Sequence, residues 1–197
     1  PGTPGEAYLI GRGMSPPHPQ SLRFLGRTVF AGENGALSYR PALIAAICDS
    51  GGALMGVHRT FITQERNRWV VLERRFMGCV RGHATPLGGE GETVLAGEGL
   101  ETVLSLSRMV TGARLYATLS AANLAAWIWP SDARRVFIAI DRDANRAGEK
   151  AAFRLAGRLK VAGLDARFLF PRLGDFNDDL RMFGAGAMKH AIARQRG

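Results

Sequence analysis

The chain has 197 residues, 46% of them hydrophobic, which is enough for one compact domain with a smaller partner domain. Lysine and arginine together number 26 and aspartate and glutamate 17, so the net charge is +9, and this surplus favours a polyanionic partner. No uninterrupted apolar stretch reaches the length of a membrane span, and the amino-terminal residues form no apolar core. We therefore expect neither membrane insertion nor a secretion signal.

The cysteines and the first residue indicate the setting of the chain. Cys48 and Cys79 are far apart and form no CxxC pair, which argues against a zinc ribbon and against a disulfide scaffold. We expect reduced thiols in a cytoplasmic protein. Because the chain begins at Pro1 rather than at methionine, we also expect it to be a piece of a longer protein.

The first ninety residues predict a small mixed α/β subdomain. A short helix is expected at 6–12, followed by a proline-rich break. Two apolar runs then flank the turn sequence Asp49-Ser50-Gly51-Gly52, a pattern that predicts a β-hairpin. The predicted strands of this half are 41–48 and 53–61 in the hairpin, with weaker signals at 69–72 and 81–87.

The second half begins after a cluster of glycines at 88, 89 and 91, which predicts a linker and divides the chain into 1–90 and 91–197. Short apolar runs then alternate with amphipathic segments. The predicted strands are 93–96, 115–118, 136–140 and 166–170, and the predicted helices are 100–109, 121–127, 146–161, 177–182 and 185–194. This alternation predicts an α/β fold with a mainly parallel sheet covered by helices.

Acidic residues follow the predicted strands of the second half. Glu98 comes just after the first strand and lies between two glycines, and Asp141 and Asp143 come directly after the apolar strand 136–140. Ligands of open α/β sheets collect at the carboxyl ends of the strands, so we expect these side chains to meet at one rim. A third polar group follows the last strand and comprises Asp175, Asn177 and Asp178.

Carboxylates gathered at one rim repel each other unless a cation neutralises them. Oxygen ligands without histidine or cysteine favour Mg²⁺ or Mn²⁺, and such ions stabilise the attacking and leaving oxygens of phosphoryl transfer. The alternative is that these acids simply cap helices. The ordered set of three acidic elements, each after a strand, favours the metal site.

Three motifs give this half a family resemblance. Gly-Glu-Gly-Leu-Glu-Thr (97–102), Asp-Arg-Asp-Ala-Asn-Arg-Ala-Gly-Glu-Lys-Ala-Ala (141–152) and Gly-Asp-Phe-Asn-Asp-Asp-Leu (174–180) resemble the Toprim domain, and primases most closely. The resemblance implies that Glu98 is catalytic and binds the metal together with Asp141 and Asp143. Primases usually carry an acid where this chain has Thr102, whereas its own acid is Glu101, so the role of Glu101 is open.

The first half resembles the amino-terminal subdomain of bacterial primase cores. The resemblance lies in Tyr8-Leu9 with Arg12-Gly13-Met14, and in the hairpin that ends in residues 56–60. In that family the closing arginine of the hairpin faces the nucleic acid, which implies this role for Arg59. The other candidates are His58, Arg40, Arg74, Arg75 and Arg81, and the alternative for each arginine is a solvated surface charge.

The two resemblances together imply the catalytic core of a DNA primase of the mobile-element or phage type, which makes RNA primers from nucleoside triphosphates on single-stranded DNA. Its expected partners include a replicative helicase, or flanking zinc-binding and helicase domains. A Toprim nuclease shares the same acids, and a non-catalytic nucleic-acid-binding module would bind without Mg²⁺.

Four other side chains have two readings each. Ser120 could be a nucleophile, but its position before a predicted helix favours an N-cap. Trp69, Trp127 and Trp129 could stack on bases, although buried packing is favoured for at least two of them.

Overall fold

The computed structural model describes residues 2–142 and 146–196. Over this range no helix combines the length and the apolar character that are needed to cross a membrane. The chain forms two sheets, one antiparallel and one mainly parallel with helices packed on it. The α/β class predicted from the sequence is therefore confirmed.

The first half is an antiparallel sheet with one helix. Its elements are α1 (Pro4–Gly11), β1 (Leu22–Ala31), β2 (Leu37–Cys48), β3 (Leu54–Glu65) and β4 (Arg68–Gly78). The strands pair in chain order. The predicted hairpin is β2 and β3, and the Asp49 carboxylate closes its turn by accepting from the Gly51 and Ala53 amides, each at 2.9 Å.

The second half shows the predicted βα alternation. Its elements are β5 (Thr85–Pro86), β6 (Thr93–Gly97), α2 (Leu100–Leu106), β7 (Ala113–Ala117), α3 (Ala121–Ala126), β8 (Arg135–Ala139), α4 (Ala147–Val161), β9 (Asp165–Leu169) and α5 (Phe176–Arg196). The sheet order is β5-β7-β6-β8-β9, and all pairs except β5 with β7 are parallel. Ser120 caps α3, since its hydroxyl accepts from the Asn123 amide.

Several boundaries differ from the predictions, among them the strand predicted at 69–72, which extends over the whole of β4. The strand predicted at 81–87 is only the two residues of β5, and α2 ends at Leu106 rather than at 109. The two carboxyl-terminal helices form the single run α5, which is interrupted by the non-helical backbone of Gly184 (φ 76°). Glycine reaches this conformation without a steric penalty. The interruption lies between the two helices predicted at 177–182 and 185–194.

One apolar core joins the two halves. Tyr8, Leu9 and Leu43 from the first half belong to the same buried cluster as Leu95 and Leu100 from the second. Burying each large aliphatic side chain contributes about 1.5–3 kcal/mol. The cluster therefore fixes α1 and the antiparallel sheet against α2 and the parallel sheet.

Candidate active site

The parallel sheet brings two acids to one rim. Glu98 directly follows β6, and Asp141 lies two residues beyond β8. These strands are parallel neighbours in which Gly97 pairs with Ala139, so both carboxylates emerge at the carboxyl edge of the sheet, as predicted. The Thr102 hydroxyl donates to Asp141 Oδ1 at 2.8 Å and orients it.

Two glycines make room around these carboxylates. A β-carbon at Gly99 would lie 3.3 Å from Asp141 Oδ2. At Gly148, in the first turn of α4, it would lie 3.1 Å from both Glu98 Oε2 and the Asp141 carbonyl oxygen. The helices α2 and α4 thus approach the acids closely, and the positive end of the dipole of α4 points towards them.

Burial and neighbouring negative charge raise the pKa of two carboxyl groups at the rim. Burial, reinforced by the charges of Glu98 and Asp175, raises the pKa of Asp141 to about 7, although the hydrogen bond from Thr102 acts in the opposite direction. Burial, followed by the charge of Asp178, also raises the pKa of Asp175. This concentration of negative charge suits a cation bound at the rim.

The donor set fits a hard divalent ion. Glu98 and Asp141 offer carboxylate oxygens, and the glycines leave space beside both of them. The third predicted ligand, Asp143, lies outside the described residues. Within 2–142 and 146–196, no three His, Cys, Asp or Glu side chains form a group that could hold a metal ion.

The three residues of the third acidic element, Asp175, Asn177 and Asp178, lie in three different environments. Asp175 lines the cleft, and its carboxylate caps α5 by accepting from the Asp178 amide at 2.7 Å. Asn177 is fully buried and donates to the Arg12 carbonyl at 2.8 Å and to the Ser105 hydroxyl at 3.0 Å. The side chain of Asp178 is half exposed outside the cleft. The structure therefore brings only Asp175 of this group to the acidic rim.

The six predicted basic residues do not share one face. His58 and Arg74 line the same cleft as Glu98 and Asp141. Arg59 and Arg75 are direct partners on neighbouring strands β3 and β4, and alternation along a strand places them on the opposite face. Arg40 joins that opposite face, because Ala42, two residues on, pairs with Phe61.

On the opposite face the arginines are tied to the sheet. Arg75 donates to both carboxylate oxygens of Glu73 and to the Ala31 carbonyl, and its guanidinium lies 4.4 Å from the centre of the Phe30 ring. Arg59 lies over the Phe61 ring at 5.5 Å. Arg81 is exposed in the loop that follows β4. Nucleic-acid binding by these residues remains a prediction.

Sequence reasoning left Glu101 unassigned, and the structure gives it partners. Its buried carboxylate accepts from the Tyr8 hydroxyl and, at 2.9 Å, from Arg74. Burial raises the pKa of Glu101, but the Arg74 guanidinium and the Tyr8 hydroxyl outweigh it, so the pKa lies below its usual value. Glu101 therefore ties α1 and β4 to α2 as a buried anion.

Sequence reasoning also missed Arg12 as a site residue. It lines the cleft, its guanidinium lies 5.7 Å from the centre of the Tyr8 ring, and its carbonyl is held by Asn177. The only signal was its place in Tyr-Leu-Ile-Gly-Arg-Gly-Met. The cleft, about 350 Å³ in volume, is thus lined by an acidic wall, defined here as Glu98, Asp141 and Asp175, and by a basic wall of two arginines, Arg12 and Arg74.

Family models match both halves of the chain. Residues 93–186 match the family model of the Toprim domain, and residues 1–87 match a family described only as a domain of unknown function. A search of curated proteins finds no matching sequence.

Solved primase structures share the fold. A DnaG primase catalytic domain bound to single-stranded DNA is 18% identical with a TM-score of 0.59, and the match covers 98% of this chain and 74% of that one. A DNA primase domain from Pseudomonas aeruginosa is 17% identical with a TM-score of 0.50 over 95% of this chain. The zinc-binding and RNA polymerase domains of the Aquifex aeolicus primase are 17% identical with a TM-score of 0.52, covering 84% of this chain and 43% of that one. The chain spans 58% of the Pseudomonas domain.

Proposed function

We propose that this Toprim-domain chain, which has the fold of a primase catalytic core, is the nucleotidyltransferase centre of a DNA primase and makes short RNA primers on single-stranded DNA. One observation carries the proposal. The acidic rim of Glu98, Asp141 and Asp175 lines the same cleft as Arg12 and Arg74. A similar structure contains single-stranded DNA, which supports this partner.

The acidic wall supplies the reactive end of the cleft. Glu98, Asp141 and Asp143 would hold Mg²⁺ or Mn²⁺, and Thr102 orients Asp141. When bound, the ion stabilises the attacking and leaving oxygens of the phosphoryl displacement. Glu98 also accepts the proton of the attacking 3′-hydroxyl, a role for which a carboxylate at the rim is suited.

The basic wall binds the nucleotide that is added. Arg12 and Arg74 face the rim, and their charges compensate the triphosphate of the incoming nucleoside triphosphate. The hydrogen bond and ion pair with Glu101 keep Arg74 in place, and the contacts with Asn177 keep Arg12 in place. Positioning of this kind lowers the entropic part of the barrier.

The product distinguishes this function from its alternatives. The chain is incubated with single-stranded DNA, labelled ribonucleotides and Mn²⁺, and the products are separated by length. The proposal predicts short labelled oligonucleotides. Shortened DNA without incorporation would instead identify a Toprim nuclease. DNA binding that is indifferent to Mn²⁺, without any product, would identify a non-catalytic module.

The proposed function also implies partner domains or proteins. The solved Aquifex aeolicus primase structure contains a zinc-binding domain beside its polymerase domain. We infer that a flanking zinc-binding or helicase domain, or a replicative helicase, presents the template to this chain in the cytoplasm. The assignment to mobile-element or phage-type primases rests on the motif at residues 174–180.

A further inference from the structure

A second groove continues from the active cleft. It lies between α1 and the beginning of β4 and has a volume of about 720 Å³. Arg12 lines both the cleft and the groove, so the two are connected at this side chain. Trp69, Arg68 and Arg181 also line the groove, and none of the described residues along its wall is acidic.

The charge of this groove is only weakly compensated. The Arg12 guanidinium is 3.4 Å from a neutral amide oxygen of Asn177. Arg68 forms no ion pair with any residue that the structure describes, and Arg181 is 4.0 Å from Asp178. Arg74 and Arg75, by contrast, have close carboxylate partners. A polyanion can therefore pair with Arg68 without displacing a close carboxylate.

Trp69 gives the groove an aromatic wall. One side of the indole packs against the shared core, which Val71 and Phe24 also contact. The indole also borders the groove. The tight turn just before it has positive φ at Arg66 (44°) and Asn67 (63°), which is the conformation of a two-residue hairpin. The packing and the turn hold the ring in place, as a stacking platform requires.

We propose that a single strand of DNA passes from the acidic cleft over Arg12 into this groove, where a base stacks on Trp69 and the phosphates pair with Arg68 and Arg181. The proposal rests on the proposed function for the identity of the strand. It adds a path and a base-stacking residue. It also places the strand along the β4 edge of the sheet, beside Trp69 and away from Arg59 and Arg75.

The test measures the affinity of labelled oligothymidylate by fluorescence anisotropy without divalent metal. Trp69→Ala should weaken binding roughly ten-fold, because stacking of a base contributes about 1–3 kcal/mol, and Trp69→Phe should retain most of the affinity. Trp129→Ala is the matched control. Like Trp69, Trp129 is half-buried, and Arg158 lies over its ring at 5.1 Å. It precedes the amino end of β8, opposite the cleft.

An abasic oligomer separates stacking from a structural effect. The loss caused by Trp69→Ala should disappear with this ligand, since it has phosphates but no bases. In parallel, Arg68→Gln should reduce the salt dependence of binding by about 0.7 in log–log slope, the value for one phosphate contact on a single strand. Arg154→Gln, at an exposed position on α4, should leave the slope unchanged.

Three results would refute the proposed path of DNA through the groove. These are wild-type affinity in Trp69→Ala, an equal loss in Trp129→Ala, or an equal loss with the abasic oligomer. The primase function fails separately. A wild-type chain that binds through Trp69 but incorporates no nucleotide supports the groove and refutes primer synthesis. A chain that makes primers but binds equally well after Trp69→Ala refutes only the groove.

Discussion

Burial decides the chemistry of His58, a residue that the sequence places on a basic track. Its ring is only 3% exposed, packs 4.9 Å from the Phe76 ring, and lies 3.5 Å from the Thr60 hydroxyl. Burial, assisted by the charge of Arg74, lowers the pKa of His58 to about 4. At neutral pH His58 is therefore an uncharged part of the wall, while Arg74 carries the charge in the cleft.

The low pKa of His58 predicts a pH dependence of stability. Between its ordinary value of 6.5 and about 4, the unfolded chain binds a proton that the folded chain does not. The contribution of neutral His58 is therefore complete above the unfolded value and is lost as pH falls through this window, by up to about 3 kcal/mol. His58→Gln should remove that component, as urea unfolding at about pH 7 and about pH 4 would show. An identical pH dependence in both proteins would contradict the assignment.

The ion pair between Arg74 and Glu101 gives a second prediction for single residues. Arg74→Ala leaves the Glu101 carboxylate buried without its cation, so the free energy of unfolding should fall by about 1–3 kcal/mol. Adding Glu101→Gln should recover part of the loss, because the amide still accepts from Tyr8 and carries no charge. Arg135→Ala breaks an exposed pair with Asp165 and should cost about 1 kcal/mol or less. Equal losses in the two single variants would mean that Glu101 does not depend on Arg74.

At the scale of the elements, the second half was predictable because its strands are short apolar runs separated by amphipathic helices. The first half was harder. The sequence did not predict β1, whose residues alternate irregularly around Gly26. It also did not show that Arg74 and Arg75 face opposite sides, because the predicted strand ended at 72, whereas β4 continues to Gly78 and side chains alternate along it.

The start of α4 makes a prediction about packing. Gly148→Ala places a methyl group against Glu98 Oε2 and the Asp141 carbonyl, so it should reduce nucleotide incorporation at least ten-fold. The fold should persist, since alanine favours a helix over glycine by about 1 kcal/mol. Gly157→Ala lies in the same helix with nothing within 4 Å of the new methyl group, and it should stabilise the chain without affecting incorporation. Full activity in Gly148→Ala would show that the acids need no such space.

At the scale of the whole molecule, the site depends on contacts that sequence spacing does not reveal. Motifs and strand ends predicted Glu98 and Asp141 at one rim, and the structure places them there. Tyr8 meets Glu101 across 93 positions of the chain, and Arg12 meets Asn177 across 165. These contacts follow from the docking of two sheets around one core, so the basic wall of Arg12 and Arg74 could not be derived from local pattern.

Metal binding tests the acidic wall of the assembled molecule. Mn²⁺ should raise the melting temperature, because an ion that binds only the folded state stabilises it by mass action. Asp141→Asn should lose most of that rise. Asp178→Asn removes an acid outside the cleft and should retain it. An equal response to Mn²⁺ in the two variants would place the ion elsewhere.

The central claim is that Glu98 serves nucleotidyl transfer in a cleft that both halves build. Its most direct test is the incorporation of labelled ribonucleotides on single-stranded DNA with Mn²⁺ by the wild type, Glu98→Gln and Glu92→Gln. Glu92 is an exposed acid just before the opposite end of β6, which makes it the matched control. We predict short products from the wild type and Glu92→Gln, and none from Glu98→Gln at an unchanged melting temperature. Incorporation by Glu98→Gln at the wild-type rate would contradict the claim.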